Sequence, residues 1–381
     1  MMIRRALTAL TASLLVLGTV HCSSAPADAS VSDGPSEDNL TAALDVKPML
    51  TLGTGNAGTG VNDINAPDGI IFNKKGNLLI TDAENHRVQV WDFKKNHRLG
   101  DFGSPAIFRG AVVDLAENPL TGQVVVTDED THVAYAFDPP TGHEAGDAAL
   151  AGYKSSGPDW FSGERVVKVG GITYDSKGRI YTVDARQNLV RRYDSKGTPD
   201  PTFKFAELGS VKFLNGCEGV AVDEKRGNLY VSNEFDSVIQ VFDLETGAYR
   251  KQTIGKHSDP ATPGVGTGQS VFPAAIEGLW ILDDYLLASS EADGSVGSLM
   301  IFDLANDSVF NTGPEDWKKL EADHKTSPYK ASVGAFLSPD SVAAWTDTDG
   351  ESYVAIADQG HFKVPVYRWS DIVKAGKFAR P

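Results

Sequence analysis

Five apolar runs in this chain end in an aromatic residue followed by aspartate: VQVWD at Asp92, AYAFD at Asp138, VRRYD at Asp194, IQVFD at Asp243 and LMIFD at Asp303. A sixth, VPVYRWSD at Asp371, repeats the pattern imperfectly. The spacings of 46, 56, 49, 60 and 68 residues are too long for one hairpin and suit a four-stranded blade with its loops. Each unit opens on a short strand with a glycine-like start, turns into a second strand, and crosses a polar loop before the aromatic–Asp strand. The units span 67–92, 109–138, 170–194, 218–243, 277–303 and 340–369. Their apolar, β-branched runs joined by turns such as Lys75-Gly76-Asn77 read as strands. The expected fold is all-β, a six-bladed β-propeller over 47–381. Pro48 to Gly53 is expected to add the outer strand of blade six and so remove the exposed edges.

Charge narrows the partners. The formal charge is −16, and the first 27 residues hold Arg4 and Arg5 but no acid, so the remainder carries 33 basic and 51 acidic residues, or −18. Nucleic acid and anionic membranes require a cationic footprint, which argues against both and leaves cations as natural ligands. Met1 to Arg5 and the apolar Ala6 to Val20 read as an export signal, with cleavage near Ala27 and a polar leader over 28–46. The expected location is therefore extracytoplasmic. Lipidation at Cys22 is the rival, weakened by His21 where a small residue is expected. No other stretch is long and apolar enough to span a bilayer. Cleavage leaves Cys217 alone, without an intrachain disulfide partner, and the expected state is a monomer.

Aligning the blades puts Asp68, Arg109, Gly170, Glu218, Glu277 and Asp340 at the start of the six inner strands. Asp82, Asp128, Asp184, Glu234, Glu291 and Asp358 follow the second strands. Ten of these twelve positions are carboxylates, against about one residue in eight for the whole chain. Crowded carboxylates repel one another, and a hard cation such as Ca2+ relieves that repulsion. The acids after the second strand also suit a plain turn role, bonding loop amides. The blade-opening acids have no such need, since a small residue would serve the turn.

Blades one, three and four resemble NHL repeats through Pro-x-Gly-Ile, Gly-Asn-Leu, Thr-Asp and Asn-His-Arg-Val, best over 67–92. That resemblance implies fold more than activity. Blades four and five resemble the β-propeller phytases: Glu218-Gly219 through Asn228-Leu-Tyr-Val-Ser-Asn-Glu234, then Ile276-Glu277-Gly278-Leu279 and Tyr285-Leu-Leu-Ala-Ser-Ser290. The resemblance implies calcium ligation by Glu218, Glu234, Glu277 and Asp340, with Asp68 in the same ring, and metal-assisted phosphoester hydrolysis in which Glu218 and Glu277 are catalytic. Arg109 and Arg186 are the basic residues that the alignment places near the rim to grip substrate. The first-blade phytase pattern is only echoed at Asp63-Ile-Asn-Ala-Pro-Asp-Gly-Ile70, and its phosphate-gripping lysines and arginines have no clear counterparts.

Three rivals stand beside this reading. One is a non-catalytic NHL propeller binding a protein or glycan. Another is a lactonase-type hydrolase, kept open by Asn215 and Asn233. The third is a zinc site from His86, His132 and His361, as in the NHL-type amidating lyase, although no blade opens with histidine.

Overall fold

The computed structural model describes residues 46–141, 146–157, 169–205, 217–234, 237–255, 264–265, 275–292, 296–305, 308–311 and 336–376. The chain divides into two compact units, Met1–Asn39 and Leu40–Pro381. The first lies wholly outside the described residues, as do the expected export signal, Cys22 and all but the last residue of the leader.

Within the second unit, strands form six sheets in chain order. Blade one runs Pro67–Phe72, Leu78–Asp82, Arg87–Asp92 and His97–Phe102, each strand antiparallel to the next. Blades two to six open on Val112–Glu117, Val169–Tyr174, Val220–Asp223, Ala275–Leu282 and Pro339–Thr346. Each of these opening strands packs against those of the neighbouring blades, and the sixth packs against the first. The chain is a six-bladed β-propeller. Leu50–Leu52 pairs with the third strand of blade six, Leu50 opposite Val366 and Leu52 opposite Val364, and closes the ring as the outer strand.

The packing follows from strand period. Successive side chains point to opposite faces, so a strand covered on both sides reads as an unbroken apolar run. Leu78 and Ile80 enter the cluster shared with blade six, while Leu79 enters the cluster shared with blade two. Six apolar clusters each fill one interface between neighbouring blades.

The aromatic–Asp signature has a local cause. The aromatic residues Trp91, Phe137, Tyr193, Phe242 and Phe302 are buried in these interfaces. The following aspartates mostly close a turn. Asp194 accepts N–H bonds from Lys196 and Thr198 at 2.8 and 2.9 Å, and Asp243 accepts from Glu245 and Thr246 at 3.1 and 2.8 Å. The sixth repeat departs here: its third strand ends at Arg368, and Asp371 lies in the helix Trp369–Gly376. No helix among the described residues is long and apolar enough to cross a membrane.

Candidate functional site

Five of the six inner strands carry a register shift at their start. It falls between Pro67 and Ile70, Val112 and Asp114, Val169 and Ile172, Ile276 and Leu279, and Pro339 and Ser341. In several blades a hydroxyl on the second strand supports this bulge. Thr81 Oγ1 accepts from Asp68 N at 3.2 Å and Gly69 N at 2.8 Å. In blade four, whose pairing carries no register shift, Ser232 Oγ holds the same two positions, accepting from Glu218 N at 3.3 Å and Gly219 N at 2.6 Å. Ser289 Oγ accepts from Gly278 N at 2.8 Å, and Thr127 Oγ1 from Asp114 N at 3.1 Å.

The glycine of the bulge lies against the bulge of the next blade. A Cβ on Gly69 would stand 2.7 Å from Val113 O, on Gly171 2.4 Å from Glu218 O, on Gly219 2.2 Å from Glu277 O, and on Gly278 2.9 Å from Asp340 O. None of these glycines has positive φ, so close backbone approach, not conformational freedom, requires them. This contact chain identifies the equivalent residues as Asp68, Val113, Gly170, Glu218, Glu277 and Asp340.

Two corrections to the alignment result. Blade two opens on Val113; Arg109 lies three residues before its strand, with its N–H donated to Asp128 at 3.0 Å and its side chain exposed. The residues equivalent to Asp82 in blades four and five are Asn233 and Ser290, because Ser232 and Ser289 take the part of Thr81. Glu234 and Glu291 fall one residue later, in the turn and beyond Ser290. The sequence signal was available: the buried aromatic of strand three stands nine residues after Asp82, Asp128, Asp184, Asn233 and Asp358. Only blade five, with a longer hairpin, breaks the count.

The four aspartates at this position are fully buried and bind the backbone of the loops beside them. Asp82 accepts Asn65 N at 2.7 Å and pairs with Arg87 Nε at 2.6 Å; Asp128 accepts Gly110 N and Thr131 N; Asp184 accepts Gln187 N; Asp358 accepts Leu337 N and contacts His361 Nδ1 at 2.9 Å. They are structural acids. His86 likewise binds Gly110 O through Nδ1 at 2.8 Å, and Cys217 is buried with its Sγ 3.8 Å from Asp184 O.

The blade-opening acids are half-buried. Asp340 accepts from Gln359 Nε2, and its backbone oxygen accepts from Ser289 Oγ at 3.0 Å. Glu218 lies over blade three, where a Cβ on Gly170 would stand 2.9 Å from its Oε2. One residue escaped the sequence reading altogether. Asp114, at the glycine step of blade two, accepts Leu115 N at 2.8 Å and reaches across to Ile172 N of blade three at 2.7 Å. Desolvation pushes its carboxyl up to about 7, against these hydrogen bonds, and the charge of Glu218 pushes the same way. Its signal in the sequence was an acid where the neighbouring units carry glycine.

Among the described residues, no three of histidine, cysteine, aspartate and glutamate come together as a group that could hold a metal ion. Arg186 is exposed in the turn after the second strand of blade three. Asn215 and the side chain of Glu291 lie outside the described residues.

An NHL repeat model matches residues 65–91, the stretch that forms most of the first three strands of blade one. No curated protein matches the chain. Among solved structures, the PQQ-bound form of aldose sugar dehydrogenase (Adh) from Streptomyces coelicolor aligns over 84% of this chain and 97% of that one, with a TM-score of 0.50 and 15% identity. A chain of the nidogen/laminin complex aligns over 65% of this chain and 79% of its own length, with a TM-score of 0.46 and 13% identity. The dehydrogenase likeness carries the propeller fold and no activity.

Proposed function

We propose that this propeller takes a hard divalent cation, calcium first, at the mouth where its inner strands begin, and hydrolyses a phosphoester there. One observation supports the reading most. Three consecutive blades carry Glu218, Glu277 and Asp340 at the same bulge step, each abutting the glycine of the blade before it. Carboxylates repeated at one step repel each other, and a cation offsets that repulsion. The donors are hard oxygens, which suit calcium and give it no imidazole or thiolate. Since no three described acids assemble a shell by themselves, solvent and substrate oxygens would complete it. A bound cation would supply positive charge to phosphoryl oxygens and acidify a water.

The remaining roles belong to the chain. Glu218, Glu277, Asp340 and Asp68 would hold the ion, with Glu234 one position further out. Arg109 and Arg186, both exposed, would meet the outer part of the substrate. Export through residues 1–27 would bring this monomer to a calcium-rich compartment.

A second reading rests on those two arginines. Both are exposed beside a mouth rich in acids, so that surface also suits a polar segment of a protein partner carrying both charges. Calorimetric titration of EDTA-treated protein with Ca2+, with phosphate release from a simple aryl phosphate and from phytate, separates the two. Calcium binding with release supports the hydrolase. Calcium binding without release favours the partner-binding propeller, and no calcium binding overturns the cation site itself.

A further inference from the structure

Blade three is the one blade whose inner strand carries glycine at both positions of the bulge, Gly170 and Gly171. The two glycines answer to different neighbours. A Cβ at Gly171 would stand 2.4 Å from Glu218 O and 3.2 Å from Gly219 Cα, so backbone packing alone requires it. At Gly170 the nearest atom is the carboxylate of Glu218, with Oε2 at 2.9 Å; the backbone oxygens of Glu218 and Cys217 stand at 3.2 and 3.4 Å. Gly170 does not have positive φ. The equivalent position holds Asp68, Val113, Glu277 and Asp340 in other blades, so the conformation accepts a side chain.

We infer that Gly170 is a positioning residue for Glu218: blade three presents bare backbone there so that the Glu218 carboxylate can lie across it. Asp114 flanks the same strand from the other side, its Oδ2 bonded to Ile172 N at 2.7 Å, and it lies within electrostatic reach of Glu218. The gap in the ring of side chains thus lets acids from blades two and four act together across blade three. This role rests on the cation-site reading for its consequence, but the placement of the carboxylate does not.

Gly170→Ala is the test. Its Cβ would meet the movable end of a side chain most closely, so the strand is expected to hold while the carboxylate shifts. A crystal structure of calcium-free Gly170→Ala should place the Glu218 carboxylate clear of the blade-three backbone, with residues 169–174 keeping their strand pairing and the backbone oxygens of Cys217 and Glu218 giving by no more than a few tenths of an ångström. Calcium affinity by calorimetry should fall about tenfold, the usual scale for disturbing a residue that orients a metal ligand. In a Glu218→Gln background the same alanine should cost almost nothing more, because effects that act through one side chain are not additive. An unmoved carboxylate, unchanged affinity with a moved one, or fully additive losses would each overturn the inference. If the wild type binds no calcium, the cation site falls and the crystal structure alone decides the positioning.

Discussion

Glu277 lies between Glu218 and Asp340 in a run of four consecutive carboxylate-bearing blades that Asp68 completes, so the proposed chemistry depends on it. Glu277→Gln keeps size and hydrogen-bonding capacity but removes a charge. Phosphate release should fall about 10²–10³-fold, equivalent to about 3–4 kcal/mol of transition-state stabilisation, while the melting temperature in EDTA stays near that of wild type. Equal turnover in the two proteins would remove Glu277 from the site. Asp114 and Glu117 make a separate, metal-independent prediction. Burial pushes both carboxyls up to about 7; Glu117 accepts Lys74 N at 2.7 Å, and the charges of Lys74 and Lys75 oppose the shift. Because the folded pKa lies above the unfolded one, the fold favours the protonated form. Stability is then highest below about pH 4 for this contribution, declines as the unfolded chain ionises first, and levels off above about 7. That decline reaches about 4 kcal/mol for Asp114 and about 3 kcal/mol for Glu117. Urea melts in EDTA from pH 4 to 8 should show a shallower slope for Glu117→Gln; an identical slope would mean that Glu117 titrates alike in both states.

At the scale of the strand, the hydroxyl under the bulge links fold to site. Ser232 Oγ accepts the N–H groups of both Glu218 and Gly219, so Ser232→Ala leaves two donors beside the mouth without that acceptor. A loss of about 1–3 kcal/mol in denaturant unfolding is expected, together with weaker calcium binding, because the backbone that carries Glu218 is no longer held. Unchanged stability and affinity would reduce the hydroxyl to a bystander. Gly219→Ala should be harsher, since its Cβ would lie 2.2 Å from a backbone oxygen of blade five. The repeats made these strands legible: aromatic–Asp endings, β-branched runs and turns predicted the first three strands of the blades, and the outer strand of blade six alone. The bulge was not legible, because an extra residue at a strand start leaves no periodic trace and shifts the alignment by one or more positions. That shift misplaces Arg109; Glu234 and Glu291 are misplaced by one residue on the second strand, where the nine-residue count to the buried aromatic points to Asn233 and the longer hairpin of blade five hides Ser290.

Closure of the ring is a property of the whole molecule. Leu52 is buried in the cluster between blades six and one, and its strand covers the edge of Val364–Arg368. Leu52→Ala should lower unfolding free energy by about 2–5 kcal/mol and promote aggregation through the loosened edge; a wild-type melting curve would mean that the ring holds without this strand. The sequence by itself determined the number of blades, the strand that closes them and the concentration of acids at one end of the inner strands, because each of these repeats along the chain and repetition is visible in one dimension. It also marked Asp82, Asp128, Asp184 and Asp358 as turn acids in the making. The alignment already put Asp68, Gly170, Glu218, Glu277 and Asp340 at one step; only the tertiary structure put Val113 in the place of Arg109, since that depends on a bulge and on backbone contact between blades about fifty residues apart in sequence. It alone set Asp114 against Ile172 of blade three and the Glu218 carboxylate beside Gly170, because both facts reside in the space between neighbouring strands, where a side chain is defined by what stands opposite it.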